Sequence, residues 1–162
     1  MRTHDFDAIA PEFLERANRI VWCNAATVDG QGRPRSRVLH PIWEGSTAWI
    51  TTNPASFKSR HLARNPYVSL AYVEPAKPAY ADCHAEWITD PAEKQHVWDL
   101  CLRTPPPLGF DPATIYNPID GSTSDRIDFG VLKLTPYRIV LTQWPDPIWI
   151  WTSRAECTPA ED

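Results

Sequence analysis

RSRVLHPIWEGSTAWITTNPASFKSRHLARNPYVSLAYVE, residues 35–74, is the stretch whose pattern decides the fold. Three segments of it are rich in β-branched and aromatic residues, which is typical of strands. They are residues 35–44, 47–52 and 66–74. Only Gly45 and Ser46 separate the first two, so we expect an antiparallel hairpin there. Residues 55–64 have helical character, and the stretch therefore predicts a sheet with a short helix between two strands.

The rest of the chain adds strand-like and helix-like segments to this pattern. The further strand-like segments are residues 19–28, 79–89, 126–144 and 147–153. One helix is expected to begin after Asp5 or Asp7, and another at Pro91 with Asp90 as its N-cap. Because short turns join most strands, the sequence predicts a mainly β fold with peripheral helices, a small antiparallel barrel of six or seven strands.

Length and composition limit the class of protein. The 162 residues predict a single domain over residues 1–162, and 43% hydrophobic residues argue against a disordered chain. A net charge of −4 argues against nucleic-acid binding, and no apolar run is long enough for a membrane span. The four cysteines form no C-x-x-C pair, so we expect free thiols, no metal site and a cytoplasmic location.

Two regions fall outside the regular pattern. Residues 104–126 are rich in Pro, Gly and Asp and predict a long loop. Loops of this length are often functional, so this one is the best candidate for a substrate-selective lid. Residues 154–162 are expected to form a mobile C-terminal tail.

Positive charge gathers in residues 51–66, directly after a strand that ends at Thr51 and Thr52. A helix beginning near Ser56 would present free N–H groups and the positive end of its dipole, which favours phosphate. Ser56 would add a hydroxyl group, and Lys58 would add a point charge. An ordinary solvated helix with a serine cap explains the same residues, and the pattern alone favours that simpler explanation.

A second basic cluster lies upstream, where Arg33, Arg35 and Arg37 stand at alternate positions and would share one strand face. Like charges on one face repel unless an anion or carboxylates lie between them. The cluster is either a solvated outer face or part of the phosphate site, with Arg37 reaching the anion held by Lys58. A meander of the first three strands would make these two residues neighbours.

Together these segments resemble the pyridoxamine 5′-phosphate oxidase-like family of FMN-binding split β-barrels. The likeness rests on Pro34 and Arg37 in a P-x-x-R arrangement, on Ser56 and Lys58 in an S-x-K spacing, and on the Asn-Pro pair before the fourth strand. It covers residues 20–103. The resemblance implies an antiparallel split β-barrel, a homodimer, and FMN bound at the subunit interface.

The resemblance also assigns the cofactor contacts and favours the phosphate explanation of residues 51–66. The residues expected to bind FMN are Arg37, Val38, Leu39 and His40 beside the ring and ribityl chain, Thr51 and Thr52 beside the ribityl and phosphate groups, and Ser56, Phe57 and Lys58 around the phosphate. We expect His40 to be a half-buried residue hydrogen-bonded to a main-chain carbonyl rather than a catalytic acid.

Two departures from the family pattern bear on function. Phe57 stands where the oxidase commonly has a basic residue, and the C-terminal segment that holds pyridoxal phosphate in the oxidase is not found. We therefore expect a flavin-dependent oxidoreductase that accepts electrons from a small-molecule donor and passes them to a small acceptor, without an assigned catalytic residue. An F420-dependent reductase and a non-catalytic flavin- or haem-binding stress protein are the alternatives.

Overall fold

The fold is a β-sheet with helices packed around it. The computed structural model describes residues 1–122 and 125–157, and within them nine strands and three α-helices are found. The strands are β1 (Arg2–Thr3), β2 (Cys23–Val28), β3 (Pro34–Leu39), β4 (Ile42–Glu44), β5 (Thr47–Thr52), β6 (Tyr67–Tyr72), β7 (Ala79–Ile88), β8 (Gly130–Gln143) and β9 (Asp146–Thr152). The helices are α1 (Ala10–Ile20), α2 (Phe57–Arg64) and α3 (Pro91–Arg103). None of these helices is long and apolar enough to cross a bilayer.

The sheet divides into two branches at its longest strand. Seven strands lie in the order β1-β9-β8-β7-β6-β2-β3, and every pair except the parallel β1–β9 pair is antiparallel. The β4–β5 hairpin pairs with residues 130–134 of β8, whereas β9 pairs with residues 138–143. Because β7 pairs with β8 along both parts, the two branches diverge from one common strand. The predicted mainly β fold with peripheral helices is confirmed. The sheet is mixed, because β1 and β9 are parallel, and it does not close into a complete barrel.

The strand count of six or seven was too low, for two reasons. Segment 35–44 was expected to be one strand, but it is interrupted at Pro41, whose missing N–H and fixed φ end the ladder. The other addition is β1, whose two residues pair with β9 from the opposite end of the chain. Such a contact leaves no local signal in the sequence.

The predicted meander has the expected strand pairs, but it does not bring Arg37 and Lys58 together in the expected way. β2 pairs with β3 and β4 pairs with β5, yet no ladder joins β3 to β5 in the described residues. Helix α2 packs against β2 instead. Arg37 on β3 and Lys58 on α2 therefore approach each other beside β2, not across a β3–β5 pair.

Helix α1 closes one side of the core. Phe13 is fully buried and packs edge-on against Trp43, with ring centroids 4.7 Å apart. Arg16 is only 1% exposed, and its guanidinium donates to Glu12 and to the carbonyl oxygens of Lys77, Pro78 and Thr142. These hydrogen bonds satisfy the buried charge and fix α1 to the β6–β7 turn and to β8.

The described part of residues 104–126 packs against the sheet, with a 3₁₀ turn at Pro112–Thr114 and no strand or α-helix. Tyr116 is buried, and the centroid of its ring lies 5.2 Å from that of Phe129. Asn117 Nδ2 donates to the carbonyl oxygen of Arg126 at 2.9 Å, which brings the two ends of the segment together. Of the predicted mobile tail, residues 154–157 form a 3₁₀ turn and residues 158–162 lie outside the described residues.

Candidate functional site

The β2–β3 turn, strand β3 and helix α2 enclose a cleft of about 750 Å³, here named the arginine cleft. The arginines that line it are Arg33, Arg35, Arg37, Arg60 and Arg64. Among the described residues, Asp29 is the one carboxylate in this lining, and it accepts 3.0 Å hydrogen bonds from Nε of Arg33 and Nε of Arg35. Hydrogen bonds to its carboxylate, of which the one from the Arg33 backbone N–H has the largest effect, keep the pKa of Asp29 below its usual range. The cleft is strongly positive although the chain carries a net charge of −4.

Arg37 is positioned in this cleft by a buried hydroxyl group. Its Nη1 donates to Oγ1 of Thr27 at 2.7 Å, and Thr27 is only 2% exposed. The same Oγ1 lies 2.9 Å from Nδ1 of His61 on α2. Because a guanidinium can only donate, the hydroxyl proton of Thr27 remains free for a hydrogen bond to His61. Neighbours on β2 and α2 thus position Arg37 without neutralising it.

Lys58, in the first turn of α2, is the second cation beside Arg37. Burial, followed by the positive charge of Arg37, lowers the pKa of the Lys58 ammonium group. Burial also lowers the pKa of Arg37. In the described part of the chain, neither residue forms an ion pair with a carboxylate. Two neighbouring cations that are partly withdrawn from water are stabilised when an anion binds between them.

The start of α2 leaves the positive end of its dipole without a neutralising carboxylate. Ser56 is the N-cap residue with extended backbone, and its side chain makes no capping hydrogen bond. Its Oγ lies 3.1 Å from Oγ of Ser59 instead. The first turn contains no acidic residue, so the helix dipole adds to the field of Lys58.

Phe57 supports a basic side chain rather than burying its own ring. The ring is 74% exposed and lies in the lining of the arginine cleft. The guanidinium carbon of Arg60 lies 5.1 Å from its centroid, within cation–π range. The phenyl ring therefore helps to hold Arg60 in the cleft.

A second cleft of about 420 Å³, here named the apolar cleft, lies where β3 and β5 end. Four of the residues expected to bind the cofactor line it, namely Val38, Leu39, His40 and Thr51. Trp22, Ile50 and side chains from residues 107–116 also line it. Since Arg37 and Val38 are consecutive, strand β3 contributes to both clefts.

His40 is packed between aromatic rings in the apolar cleft. Its ring lies 4.8 Å from that of Trp22 and 6.1 Å from that of Phe110, measured between centroids. Burial lowers the pKa of the imidazole, which favours its neutral form. Nε2 is buried and has no hydrogen-bond partner among the described residues. The expectation that a main-chain carbonyl satisfies His40 is therefore wrong for this nitrogen.

The long segment after α3 forms one wall of the apolar cleft. The hydroxyl of Tyr116 donates to Oγ1 of Thr51 at 3.2 Å, which links the segment to the end of β5. Phe110 and Ile115 lie in the same lining. The segment is thus placed where it can shape what enters this cleft.

The nine residues expected to bind the cofactor are divided among four locations. Arg37 and Phe57 line the arginine cleft, with Lys58 beside Arg37. Ser56 caps α2. Thr52 is 6% exposed and lines neither cleft, which leaves it a supporting role at most. The other four line the apolar cleft, as described above.

Several residues of the two clefts were not found from the sequence. Thr27 and His61 position Arg37, and Asp29 neutralises part of the arginine cluster. Asp29 precedes the arginines in the β2–β3 turn, and this proximity was an available signal. Trp22 and Tyr116 contact the apolar cleft from elements remote in sequence, and no local pattern marks them.

Comparison with known proteins identifies the family of the chain. A family model described as pyridoxamine 5′-phosphate oxidase matches residues 9–104, more than half of the chain. The chain belongs to the pyridoxamine 5′-phosphate oxidase family. This confirms the resemblance stated from the sequence, and the match includes Arg37, Lys58 and strand β7. No curated protein matches the chain significantly.

Several solved structures share the fold at low sequence identity. A protein from Clostridium acetobutylicum related to general stress protein 26 is 16% identical with a TM-score of 0.65, over 91% of this chain and 96% of that one. An FMN-binding, pyridoxamine 5′-phosphate oxidase-related protein from Nostoc punctiforme is 17% identical with a TM-score of 0.59, over 87% and 85%. An F420 reductase is 18% identical with a TM-score of 0.55, over 78% and 94%. These likenesses establish the fold.

Proposed function

We propose that the protein is a flavin-dependent oxidoreductase that binds FMN, with the phosphate at Arg37 and Lys58. The observation that carries this proposal is that Arg37 in the arginine cleft and Lys58 in the first turn of α2 are partly buried, and that neither forms an ion pair with a carboxylate in the described part of the chain. A phosphate dianion compensates two positive charges and accepts several hydrogen bonds. Membership of the family and the likeness to an FMN-binding protein support FMN as the source of that phosphate.

The apolar cleft fits the ring system of the same cofactor. Trp22 and Phe110 offer flat apolar surface there, and β3 runs into it directly after Arg37. The unpartnered Nε2 of His40 is a buried polar atom beside this surface. A small rotation of the imidazole would let it bond a polar atom of a bound ring and remove the cost of leaving it unpaired.

The roles of the protein groups follow from these positions. Bound FMN supplies the hydride chemistry at its ring, so no acid–base residue of the chain is required for reduction. Arg37 and Lys58 hold the phosphate, and Thr27 fixes the direction of the Arg37 guanidinium. The segment of residues 107–116 limits water access and the size of the electron acceptor at the apolar cleft.

The same proposal includes a homodimer with the ring at the subunit interface. Three apolar side chains stand exposed around the apolar cleft, namely Trp22 at 57%, Val38 at 66% and Ile115 at 45%. Aromatic and aliphatic side chains exposed together are typical of an association surface. A second copy would cover them and exclude water from the ring. The free, buried thiols of Cys23, Cys83 and Cys101 support a reducing, cytoplasmic location.

An F420-dependent reductase is the second candidate. F420 also carries a phosphate, so the Arg37–Lys58 pair serves either cofactor. Arg60 and Arg64 in the same cleft are the observation that favours F420, since they offer more positive charge than one phosphate needs. The structural likeness to an F420 reductase is consistent with this candidate.

Side-by-side titration of the purified protein with FMN and F420 tests the proposal. We expect saturable FMN binding with a changed flavin spectrum, followed by oxidation of NADH or NADPH when an acceptor such as a quinone is present. Tight binding of FMN without turnover of any nicotinamide would favour the non-catalytic stress protein. Absence of binding to FMN would overturn the proposal, and tighter binding of F420 would favour the second candidate.

A further inference from the structure

The arginine cleft contains more positive charge than a single phosphate can use. Arg37 and Lys58 account for one anion, which leaves four further arginines in the lining. These are Arg33, Arg35, Arg60 and Arg64. Helix α2 contains no acidic residue, and Asp29 is the one carboxylate that the described part of the chain contributes to the lining. Like charges so placed repel each other unless an anion lies among them.

Arg33 in the β2–β3 turn and Arg35 on β3 are held by their inner nitrogens. Arg33 and Arg35 each bond Asp29 through Nε, at 3.0 Å. Arg33 uses Nη2 for the side-chain oxygen of Gln31, whereas the terminal nitrogens of Arg35 make no hydrogen bond in the described part of the chain. Both side chains are at least half exposed. Asp29 therefore orients these groups and leaves outer N–H donors for a ligand.

The arginines of α2 are held by contacts that leave their charge uncompensated. Arg60 stacks on Phe57, as described above. Arg64 packs over the β2–β3 turn, where its Nη1 lies only 2.3 Å from the point that a Cβ on Gly30 would occupy. The absence of a side chain at Gly30 is what permits this approach. Neither arginine forms an ion pair among the described residues.

We propose that Arg33, Arg35, Arg60 and Arg64 form a second anion site, separate from the Arg37–Lys58 pair, for a ligand group that carries phosphate or carboxylate charge. The site takes a diphosphate or a pair of carboxylates, because four arginines line one cleft, two from the β2–β3 turn and β3 and two from α2. Two sources share this chemistry: the phosphates of a nicotinamide nucleotide donor, or an acidic extension of the cofactor itself. The ligand's identity rests on the proposed function, whereas the anion site does not.

Inorganic pyrophosphate is the probe, titrated calorimetrically into FMN-free Lys58→Ala protein in which the first site is disabled. We expect saturable binding that weakens at least about tenfold when Arg60→Gln and Arg64→Gln are added. Arg2→Gln is the matched control, since β1 and β3 stand at opposite ends of the strand order. Loss of pyrophosphate binding in Lys58→Ala alone, or equal weakening by Arg2→Gln, would overturn the second site. Unchanged circular dichroism establishes that the variants fold.

Two further arms identify the source of the anion. NADPH is titrated into FMN-saturated protein and F420 into FMN-free protein, each with and without the Arg60→Gln, Arg64→Gln pair. The ligand whose affinity falls about tenfold or more is the one that reaches the second site. Insensitivity of both ligands would contradict a role for this cleft in the proposed reaction. If FMN fails to bind wild-type protein while pyrophosphate binding keeps its arginine dependence, the proposed function fails and the anion site stands.

Discussion

The guanidinium of Arg37 donates a hydrogen bond of 2.7 Å to the hydroxyl of Thr27. Thr27 lies on β2 with 2% of its surface exposed, and it also contacts His61 on α2. One buried hydroxyl therefore joins the strand that carries Arg37 to the helix that carries Lys58. Thr27 is buried, so this link holds the strand of Arg37 and the helix of Lys58 in a fixed relation.

Thr27→Val removes this link while preserving shape. We expect FMN affinity to fall about three- to tenfold. Without the Thr27 hydroxyl the Arg37 side chain is no longer held in place, so FMN binding has to supply the free energy of ordering it. Fluorescence quenching of FMN on titration measures the change. Thr135→Val, at an exposed position on β8, is the matched control and should leave the affinity unaltered. Equal affinities of Thr27→Val and wild type would show that Thr27 does not position Arg37.

Tyr72→Phe tests a buried hydrogen bond of the core. Trp43 Nε1 donates to the Tyr72 hydroxyl at 2.7 Å, and Tyr72 is fully buried. Removing the hydroxyl leaves a buried N–H unpaired, so we expect the free energy of unfolding to fall by about 1–3 kcal/mol. Denaturant titration measures it. Tyr80→Phe removes an exposed hydroxyl and should change stability little. A neutral result for Tyr72→Phe would mean that Trp43 finds another acceptor.

His40 predicts a specific dependence of stability on pH. Because burial lowers its pKa in the folded state, the unfolded chain binds the proton more readily once pH falls below about 6.5, the ordinary value. Folding stability should therefore decrease as pH falls from about 6.5 toward the lowered pKa. In His40→Phe this part of the decrease should disappear.

Unfolding free energies at a series of pH values between neutrality and mild acid provide the measurement. His84→Asn removes an exposed histidine and serves as the control. The same acid slope in His40→Phe and wild type would show that His40 is not the residue responsible.

The order of elements could be predicted because each signal is local. Alternation of apolar residues predicted β6 and β7, and Asp90 with Pro91 predicted the start of α3, where Asp90 accepts the backbone N–H of Glu93. Pairings between distant residues could not be predicted in this way. The parallel β1–β9 ladder and the division of the sheet at β8 depend on contacts between segments far apart in sequence.

The site could be predicted in part, for the same physical reason. The spacing of Ser56 and Lys58 and the alternation of the arginines are local patterns, so an anion site could be considered from them, and the family resemblance then favoured it over a solvated surface. That Arg37 and Lys58 approach each other beside β2 depends on how α2 packs, which the spacing does not contain. The roles of Thr27 and Tyr116 depend on side-chain contacts across the fold and became visible only with the structure.

The measurement that tests the central claim most directly compares FMN with riboflavin, which lacks the phosphate, in wild type and Lys58→Ala. If Lys58 binds the phosphate, the dissociation constant for FMN should rise about 10- to 100-fold, since a charge-assisted contact contributes about 1.5–3 kcal/mol. The dissociation constant for riboflavin should not change. Lys77→Ala, which removes an exposed lysine elsewhere, should affect neither ligand. Unchanged FMN affinity in Lys58→Ala, or an equal loss for riboflavin, would contradict the account.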